Sequence, residues 1–266
     1  GDAGRLVVAV SARAVDGAKV LGNPETNITS LCADSRQAAA GVLFLCLPGL
    51  RKNGHEFAPQ AVASGAAALV VDHALETDCP QVLVSDVREA LAGMAAEFFG
   101  RPADRMRLLG VTGTKGKTTA SFLIKAILEA AGIKTGLIGT VCSMIGSEQL
   151  PSRLTTPDPI DFQKLLKRMA EAGVTHVVME VSAHAMALKR LEGVRFDAAA
   201  FLNLSQDHLD FFGDMDSYFD AKMRLFTGGF CKKMFYNVDD ERVAAAMRKI
   251  PGAVGFGIRA PADIYA

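Results

Sequence analysis

Apolar runs and helical patterns alternate along the chain. Continuous apolar runs such as Val177-Val178-Met179 suit the strands of a parallel sheet that is covered on both faces. Beyond residue 104, the pattern predicts strands at 106–111, 136–141, 174–181, 197–204, 233–238 and 253–258, and helices at 120–131, 160–172, 217–226 and 241–250. Such sheets bind ligands at the carboxyl ends of their strands, so the residues that follow each strand are candidates for chemistry.

The segment before residue 104 has shorter elements. The pattern predicts strands at 42–47, 66–71 and 81–84, and helices at 57–64 and 87–99. Gly100-Arg101-Pro102-Ala103-Asp104 then interrupts the alternation and is expected to be a linker. A chain of 266 residues is long enough for two domains with separate cores. We therefore expect a small N-terminal α/β domain at 1–104 and a second α/β domain with a mostly parallel sheet at 105–266.

Composition and charge disfavour several classes of protein. Hydrophobic residues make up 50% of the chain, and 29 basic residues balance 29 acidic ones without a basic run. A broad nucleic-acid surface is disfavoured, because binding the phosphate backbone needs clustered Lys and Arg. The longest apolar stretches are too short to span a bilayer, and the five cysteines form no Cys-x-x-Cys pair. We expect a cytoplasmic protein with reduced thiols, no membrane insertion and no nucleic-acid partner.

The segment Gly113-Thr114-Lys115-Gly116-Lys117-Thr118-Thr119 lies between a predicted strand and a predicted helix. Glycines in such a turn let backbone N–H groups surround phosphate oxygens, and the helix N-terminus adds partial positive charge. Lys117 can then reach the terminal phosphates of a nucleotide triphosphate, and Thr118 can ligate Mg²⁺. Val111 stands where the strict motif has its first glycine, so this is a variant phosphate loop. The alternative interpretation is a glycine-rich turn with a solvated lysine.

Candidate metal ligands follow two further strands. Glu180 ends a continuous apolar run and suits a second Mg²⁺-handling carboxylate, although a strand-end acid facing water is the simpler alternative. His184 and His208 also follow strands, and His208 lies in an Asp-rich turn. A neutral imidazole there can ligate a metal with a carboxylate on its other ring nitrogen, or His208 can be a structural cap. Lys222 lies in an amphipathic segment, where a solvated helical lysine is the ordinary interpretation.

Several segments in a fixed order resemble the Mur ligase family of peptidoglycan synthesis: Gly113-Thr114-Lys115-Gly116-Lys117-Thr118-Thr119, Leu154-Thr155-Thr156-Pro157, Glu180-Val181-Ser182-Ala183-His184, Asp207-His208-Leu209-Asp210 and Ala221-Lys222. Within the family, the chain most resembles the MurE type, the UDP-N-acetylmuramoyl-tripeptide synthetases. This likeness rests on Asp34-Ser35-Arg36, Gly41-Val42-Leu43-Phe44 and Asn53-Gly54-His55-Glu56-Phe57. The resemblance covers nearly all of residues 30–240. Several motifs in order are more specific than any single one, so the chain is identified as a member of this family.

The resemblance implies a role for each of these segments. Residues 1–104 would bind the UDP-MurNAc moiety, with Ser35 and Arg36 holding the uridine diphosphate sugar. Residues 105–266 would be the central ATP-binding domain, in which the phosphate loop and Asn237 bind ATP. The residues implied to bind Mg²⁺ are Thr118, Glu180, His208 and a carbamylated Lys222. Those implied to contact the muramoyl peptide are Thr155, Thr156, Ser182, His184 and Arg190.

The resemblance also implies an ATP-dependent amide ligation in two steps. The D-glutamyl carboxylate of UDP-N-acetylmuramoyl-L-alanyl-D-glutamate attacks the γ-phosphate of ATP. The amine of a diamino acid, meso-diaminopimelate or L-lysine, then displaces phosphate from the acyl phosphate. Because two anions meet in the first step, cations should give most of the help by neutralisation and alignment. The implied catalytic residues are Lys117, Lys222, Glu180 and His208, and the addition of CO₂ to Lys222 would give an anion able to support Mg²⁺.

The chain departs from the family pattern at three points. Ala183 stands where a second serine is common, and Phe212 stands where a histidine is common. The family also has a C-terminal domain that selects the amino acid, so we expect the 266-residue chain not to complete the ligation alone. Three alternatives stay open: another Mur ligase, a folylpolyglutamate synthase-like ligase, and a non-catalytic phosphate-loop nucleotide-binding module. Asp34-Ser35-Arg36 and Leu154-Thr155-Thr156-Pro157 favour the tripeptide synthetase.

Overall fold

The computed structural model describes residues 6–49 and 53–265. The chain divides into two compact units, one made of residues 1–101 with 159–164 and the other of residues 102–158 with 165–266. Both units combine helices with mostly parallel sheets, so the predicted α/β class is confirmed. The assignment of sugar-nucleotide binding to residues 1–104 and ATP binding to 105–266 stays a prediction. None of the helices in the described part of the chain has the length and apolar character needed to cross a bilayer.

The first unit is built around a sheet with the strand order β2-β7-β6-β5-β4. Strands β4 to β7 run parallel, whereas β2 pairs antiparallel with β7 and β1 pairs separately with β3. Short 3-10 turns lie at Ser35–Gln37 and Gly54–Phe57. The elements are β1 (Leu6–Val7), α1 (Val8–Arg13), β2 (Lys19–Leu21), β3 (Asn27–Ile28), β4 (Ser30–Cys32), β5 (Val42–Leu45), α2 (Ala58–Ala63), β6 (Ala68–Val71), β7 (Gln81–Leu83) and α3 (Val87–Phe98).

The second unit contains a larger sheet and the helices that connect its strands. Its strands are β8 (Arg107–Thr112), β9 (Thr135–Ile138), β10 (Cys142–Ile145), β11 (Glu148–Pro151), β12 (His176–Glu180), β13 (Phe196–Phe201), β14 (Cys231–Asn237), β15 (Ala253–Gly257) and β16 (Ile264–Tyr265). Its helices are α4 (Lys117–Ala130), α5 (Pro159–Glu171), α6 (Ala183–Ala187), α7 (Leu209–Phe212), α8 (Met215–Thr227) and α9 (Glu241–Met247), although residues 159–164 of α5 group with the first unit.

Strand β8 lies in the middle of the larger sheet, whose order is β11-β10-β9-β12-β8-β13-β14-β15-β16. All neighbours from β9 to β16 pair in parallel, and only β10 and β11 add an antiparallel edge. In register, Val178 of β12 lies between Leu109 of β8 and Leu137 of β9. The carboxyl ends of β8, β9, β12 and β13 therefore meet at one edge, which is where the sequence predicts the chemistry.

Two predicted element boundaries near the carboxyl edge of the larger sheet differ from the observed ones. Helix α4 begins at Lys117 rather than at residue 120, because Gly116 takes a left-handed conformation and ends the loop there. Strand β9 ends at Ile138 rather than at residue 141, because the Thr140 N–H donates to Glu180 instead of extending the ladder. The hairpin of β10 and β11 was not predicted. Its turn is formed by Gly146 and Ser147, a Gly-Ser pair of the kind that marks such hairpins.

The interior of the second unit contains a stack of aromatic rings between β13 and α8. Phe201 lies 5.7 Å from Phe226 with nearly parallel rings and 6.0 Å from Phe219, measured between ring centroids. Phe201 is fully buried at the end of a central strand. Its ring therefore fixes α8 against the sheet close to the residues that follow β13.

Replacing Phe201 with alanine should destabilise the second unit by about 3–5 kcal/mol, because it removes buried area and leaves a cavity. The measurement is urea unfolding followed by circular dichroism. Ile127→Ala on α4, where the side chain is exposed, is the control and should change stability by less than about 0.5 kcal/mol. Equal losses in the two variants would contradict this account of the core.

Candidate active site

The phosphate loop joins β8 to α4 and is held by Asn203, which lies two residues after the end of β13. The Asn203 side chain accepts from the Lys115 N–H at 2.9 Å and donates to the Lys115 carbonyl at 3.0 Å. The Asn203 carbonyl accepts from the Thr114 N–H at 3.0 Å. Gly116, with φ +81°, adopts a left-handed conformation that favours glycine. These contacts leave the N-terminus of α4 facing the sheet edge, a position suited to an anion.

Two lysine side chains converge on one carbonyl oxygen of this loop. Lys117 Nζ donates to the Gly113 carbonyl at 2.9 Å and to the Thr114 carbonyl at 3.0 Å. Lys222 Nζ reaches the same Gly113 oxygen at 3.0 Å from α8. The Lys222 residue is 2% exposed, so the interpretation as a solvated helical lysine is wrong. The amine also lies 4.5 Å from the ring centroid of the buried Tyr218.

Burial changes the protonation of both amines. It lowers the pKa of Lys117, although the carboxylates of Glu180 and Asp207 act in the opposite direction. Burial lowers the pKa of Lys222 to about 7, and the neighbouring Lys117 cation lowers it further while Asp207 opposes the change. Near neutral pH, a substantial fraction of Lys222 is therefore a neutral amine with a free lone pair.

Glu180 is the buried acid of the site. Its residue is 1% exposed, so the alternative of a strand-end acid facing water is wrong. Its Oε1 accepts from Thr118 Oγ1 and from the Thr140 N–H, both at 3.0 Å, and its Oε2 accepts from Thr140 Oγ1 at 2.9 Å. A carboxylate and a threonine hydroxyl are hard oxygen donors of the kind that Mg²⁺ prefers. The pair Thr118 and Glu180 therefore fits a magnesium site beside the phosphate loop.

A cavity of about 290 Å³ opens next to the two lysines. It brings together most of the residues that the sequence predicts for catalysis and peptide binding, namely Lys117, Thr155, Thr156, Ser182, His184, Arg190, His208 and Lys222. Glu180, Asn237, Ser35 and Arg36 are not among the residues that line it. The cavity combines cationic and aromatic walls, which suits an anionic ligand with an apolar part.

Two histidines and an arginine also line the cavity. The rings of His184 and His208 meet edge to face, with 4.7 Å between centroids. Burial is the main cause that lowers the pKa of His184, and His208 and Arg190 lower it further. His208 is the N-cap residue of α7 and takes a left-handed conformation there, but its side chain makes no capping hydrogen bond. Arg190 Nε pairs with Asp158 at 2.9 Å.

The predicted substrate hydroxyls differ in how freely they can bind a ligand. Thr156 is buried, and its Oγ1 donates to the Glu180 carbonyl at 2.8 Å and accepts from the Ser182 N–H at 3.0 Å. The Ser182 hydroxyl accepts from the Ala185 N–H and caps α6. Thr155 is part-exposed, with its Oγ1 at 3.0 Å from that of Thr140. Thr155 is thus the freest of these hydroxyls, whereas Thr156 ties the loop after β11 to the end of β12.

Asn237 lies at the end of β14, away from the cavity. Its Nδ2 donates to the Leu202 carbonyl at 2.9 Å, and its Oδ1 accepts from the Asp239 N–H at 3.0 Å. The side-chain amide therefore connects the ends of β13 and β14. Its predicted contact with adenine stays a prediction.

The Asp34-Ser35-Arg36 segment lies in the first unit. Asp34 caps the 3-10 turn by accepting from the Arg36 N–H at 3.0 Å, and its carboxylate also binds the Arg36 guanidinium at 2.7 Å. This hydrogen bonding lowers the pKa of Asp34. Ser35, Arg36 and Arg88 line a separate cavity of about 600 Å³, and Arg88 also donates to the Pro48 carbonyl. Arg88 was not among the predicted site residues.

Two profiles of known protein families match the chain. The profile described as Mur ligase middle domain matches residues 111–266, and the profile described as Mur ligase family, catalytic domain, matches residues 27–99. The chain belongs to the Mur ligase family. The first profile alone covers more than half of the chain, and it includes the phosphate loop and both lysines.

Similar Mur ligases carry the name UDP-N-acetylmuramoyl-L-alanyl-D-glutamate--2,6-diaminopimelate ligase. The one from Geobacillus kaustophilus (strain HTA426) is 49% identical over 205 residues, covering 77% of this chain and 42% of that protein. The one from Bacillus cereus (strain ATCC 14579) is 43% identical over 252 residues, covering 92% of this chain and 51% of that protein. A solved structure of a ligase with this name has a TM-score of 0.85 at 26% identity and covers 98% of this chain and 54% of that one. The chain thus spans about half the length of these relatives.

Thr140, Asn203 and Tyr218 of this Mur ligase were not among the predicted site residues. Thr140 and Asn203 each come two residues after the last residue of a parallel strand, so the rule that identified Glu180 could have found them. Tyr218 precedes Lys222 by four residues on α8, and the two therefore share one helix face. The position of each residue could thus be found from the sequence. The sequence does not show which of the polar residues after a strand contacts the site.

Replacing Thr156 with valine should destabilise the chain by about 1–3 kcal/mol, because it leaves the buried Glu180 carbonyl without its donor and the part-buried Ser182 N–H without its acceptor. The neighbouring Thr155→Val is the matched control and should cost less than about 1 kcal/mol, since its hydroxyl can be replaced by water. Urea unfolding measures both. The assignment of Thr156 to the framework is wrong if the two variants lose the same stability.

Proposed function

We propose that this chain is the nucleotide-binding and UDP-precursor-binding part of a cytoplasmic, ATP-dependent amide ligase of peptidoglycan precursor synthesis. The complete enzyme would add a diamino acid, meso-diaminopimelate or L-lysine, to UDP-N-acetylmuramoyl-L-alanyl-D-glutamate. The observation that carries the proposal is the convergence of Lys117 and Lys222 on the Gly113 carbonyl, beside a cavity with cationic walls. The names of relatives at 43% and 49% identity support the same reaction.

ATP would bind with its phosphates at the N-terminus of α4. The backbone N–H groups of residues 116–119 at the start of α4 and the Lys117 amine would supply the donors, and Asn237 remains the candidate for the adenine side. Thr118 and Glu180 would hold Mg²⁺, which neutralises phosphate charge when bound. Lys117 would exchange its two loop carbonyls for phosphate oxygens. Its present contacts already aim the ammonium group into the loop.

The muramoyl peptide would occupy the cavity of about 290 Å³, with Thr155, Ser182, His184 and Arg190 as contacts. A D-glutamyl carboxylate in this cavity would lie on the same side of the loop as Lys117. The carboxylate attacks the γ-phosphorus, the bond to the ADP oxygen breaks, and an acyl phosphate forms. The incoming amine then forms the amide and releases phosphate and a proton. Cations beside the loop lower the repulsion between the two anions of the first step.

Lys222 is the residue that we propose to become carbamylated. The neutral amine attacks CO₂, an N–C bond forms, and one proton leaves, so the side chain becomes an anion. The surroundings favour this reaction, because burial of Lys222 and the adjacent Lys117 disfavour the ammonium form. A carbamate would lie near Lys117, and His208 would line the same cavity. His208 is retained as a metal-ligand candidate, because its Nε2 makes a contact as long as 3.5 Å with the exposed Asp207 carboxylate, which a metal ion could replace.

The proposal is tested by ligand binding to the chain itself, measured by isothermal titration calorimetry. The ligands are a Mg²⁺ complex of a non-hydrolysable ATP analogue, UDP-N-acetylmuramoyl-L-alanyl-D-glutamate and dihydrofolate. We expect the nucleotide and the UDP precursor to bind and the folate not to bind. Lys117→Met should weaken the nucleotide by about 10- to 100-fold, since it removes a charged hydrogen bond to phosphate.

Lys249→Met replaces an exposed lysine on the second unit and is the matched control, which should bind nucleotide like the wild type. Folate binding in place of the UDP precursor would favour a folylpolyglutamate synthase-like ligase. Nucleotide binding with no UDP-precursor binding would favour a non-catalytic phosphate-loop module. Nucleotide binding that is unaffected by Lys117→Met would contradict the proposed site.

The low pKa of Lys222 also predicts a dependence of stability on pH. Between about pH 7 and the ordinary lysine pKa of 10.5, the unfolded chain binds the proton that the folded chain has released. The free energy of unfolding therefore rises with pH in this window, by on the order of 4 kcal/mol. Lys222→Met should remove the part of this rise that comes from Lys222 and leave the part that comes from the lowered pKa of Lys117, whereas Lys249→Met should retain the whole rise. Urea unfolding at several pH values in CO₂-free buffer measures the difference, and parallel curves for wild type and Lys222→Met would refute the shift.

A further inference from the structure

A second cluster of ligating side chains lies in the first unit, at the carboxyl ends of two adjacent parallel strands. His55 lies in the 3-10 turn Gly54–Phe57, which follows β5, and Asp72 and His73 directly follow β6. One ligand atom from each of the three lies within 4.8 Å of the others. Within residues 6–49 and 53–265, no other three residues among His, Cys, Asp and Glu meet this condition. The function proposed above does not use this cluster.

His55 is a buried side chain whose ring orientation is fixed by a hydrogen bond. Its side chain is 5% exposed, and its Nδ1 lies 2.7 Å from Asn53 Oδ1. Because an amide oxygen only accepts, the ring hydrogen is on Nδ1 and the lone pair is on Nε2. That Nε2 lies 3.2 Å from Asp72 Oδ1, and the Asp72 N–H approaches it at 3.3 Å. A carbonyl oxygen that fixes the tautomer of a histidine in this way is the usual outer partner of a metal-binding imidazole.

The third side chain completes a set of donors around Asp72. His73 Nδ1 lies 2.5 Å from the same Asp72 Oδ1, and the His73 ring stacks on that of His55 with 4.5 Å between centroids. Donors bound tetrahedrally at about 2.0–2.2 Å from zinc lie roughly 3.3–3.5 Å from one another. The His55 to Asp72 distance is close to this spacing. Because the His55 and His73 rings stack, His73 would have to rotate out of the stack to direct a nitrogen at the same ion, and its 60% exposed side chain has room to do so.

We propose that His55, Asp72 and His73 form a binding site for one divalent transition-metal ion, with Zn²⁺ as the best match. Imidazole nitrogens suit zinc and disfavour Mg²⁺ and Ca²⁺, which prefer oxygen donors. Three protein ligands leave a fourth position for water or another ligand. A bound ion would join the turn after β5 to the end of β6. Gly54 and Phe57 of this turn also line the cavity of about 600 Å³.

The site is tested by titrating metal-free protein with Zn²⁺ in competition with a chromophoric chelator. Absorption of bound Co²⁺ in the visible range reports tetrahedral coordination independently. The test variant is His73→Ala, because His73 is exposed and its loss should leave the fold intact. Asp72→Asn is a second variant that keeps shape while removing the charge. His176→Ala is the matched control, since His176 belongs to β12 in the other unit.

We expect one zinc ion per wild-type chain at this cluster, with affinity reduced at least about 10-fold in His73→Ala and Asp72→Asn and unchanged in His176→Ala. His184→Ala, measured alongside, identifies any zinc held by the His184 and His208 pair. Nitrogen-15 NMR of the imidazoles should show zinc-dependent shifts at His55 and His73. The proposal is overturned if wild-type protein binds no zinc at these residues, or if His73→Ala binds it as tightly as the wild type. Either result would mean that the three side chains are joined by hydrogen bonds and do not bind a metal ion.

Discussion

The buried carboxylate of Glu180 is the constraint on which the second unit depends. It accepts three hydrogen bonds from Thr118 and Thr140, and its backbone carbonyl accepts from Thr156. These bonds join α4, the segment after β9 and the loop after β11 to the end of β12. A buried anion without such partners would be strongly unfavourable, so the fold and the site cannot be separated here. The same charge also opposes the loss of the proton from Lys117.

The neighbouring lysines extend this arrangement to the other side of the loop. Burial lowers the pKa of Lys222, and repulsion from Lys117, which shares the Gly113 carbonyl oxygen, lowers it further. An anionic ligand placed at the loop would relieve that repulsion. Lys117 is positioned for phosphate, whereas Lys222 is the amine whose charge is easily lost. Burial thus lowers the pKa of both Lys117 on α4 and Lys222 on α8, and it brings that of Lys222 to about 7.

Most of the fold was predictable from sequence, because continuous apolar runs and helical periodicity report burial directly. The position of Glu180 was predictable for the same reason. The burial of Lys222 was not recognised, yet Tyr218 and Phe226 lie four residues before and after it, so all three share the apolar face of α8. The hairpin of β10 and β11 was missed because β11, Glu148–Pro151, is mostly exposed and lacks a continuous apolar run. The part played by the Thr156 hydroxyl depends on contacts between distant segments, which a local pattern does not contain.

The double hydrogen bond between Asn203 and Lys115 has a thermodynamic consequence for ligand recognition. A glycine-containing loop normally loses much backbone freedom when it closes around a guest, and that loss weakens affinity. Here Asn203, just after β13, already holds the loop in the folded chain. A ligand should therefore bind with little rearrangement of the main chain. Differences in affinity between ligands should then reflect the flexibility and charge of the ligands, and not the ordering of the loop.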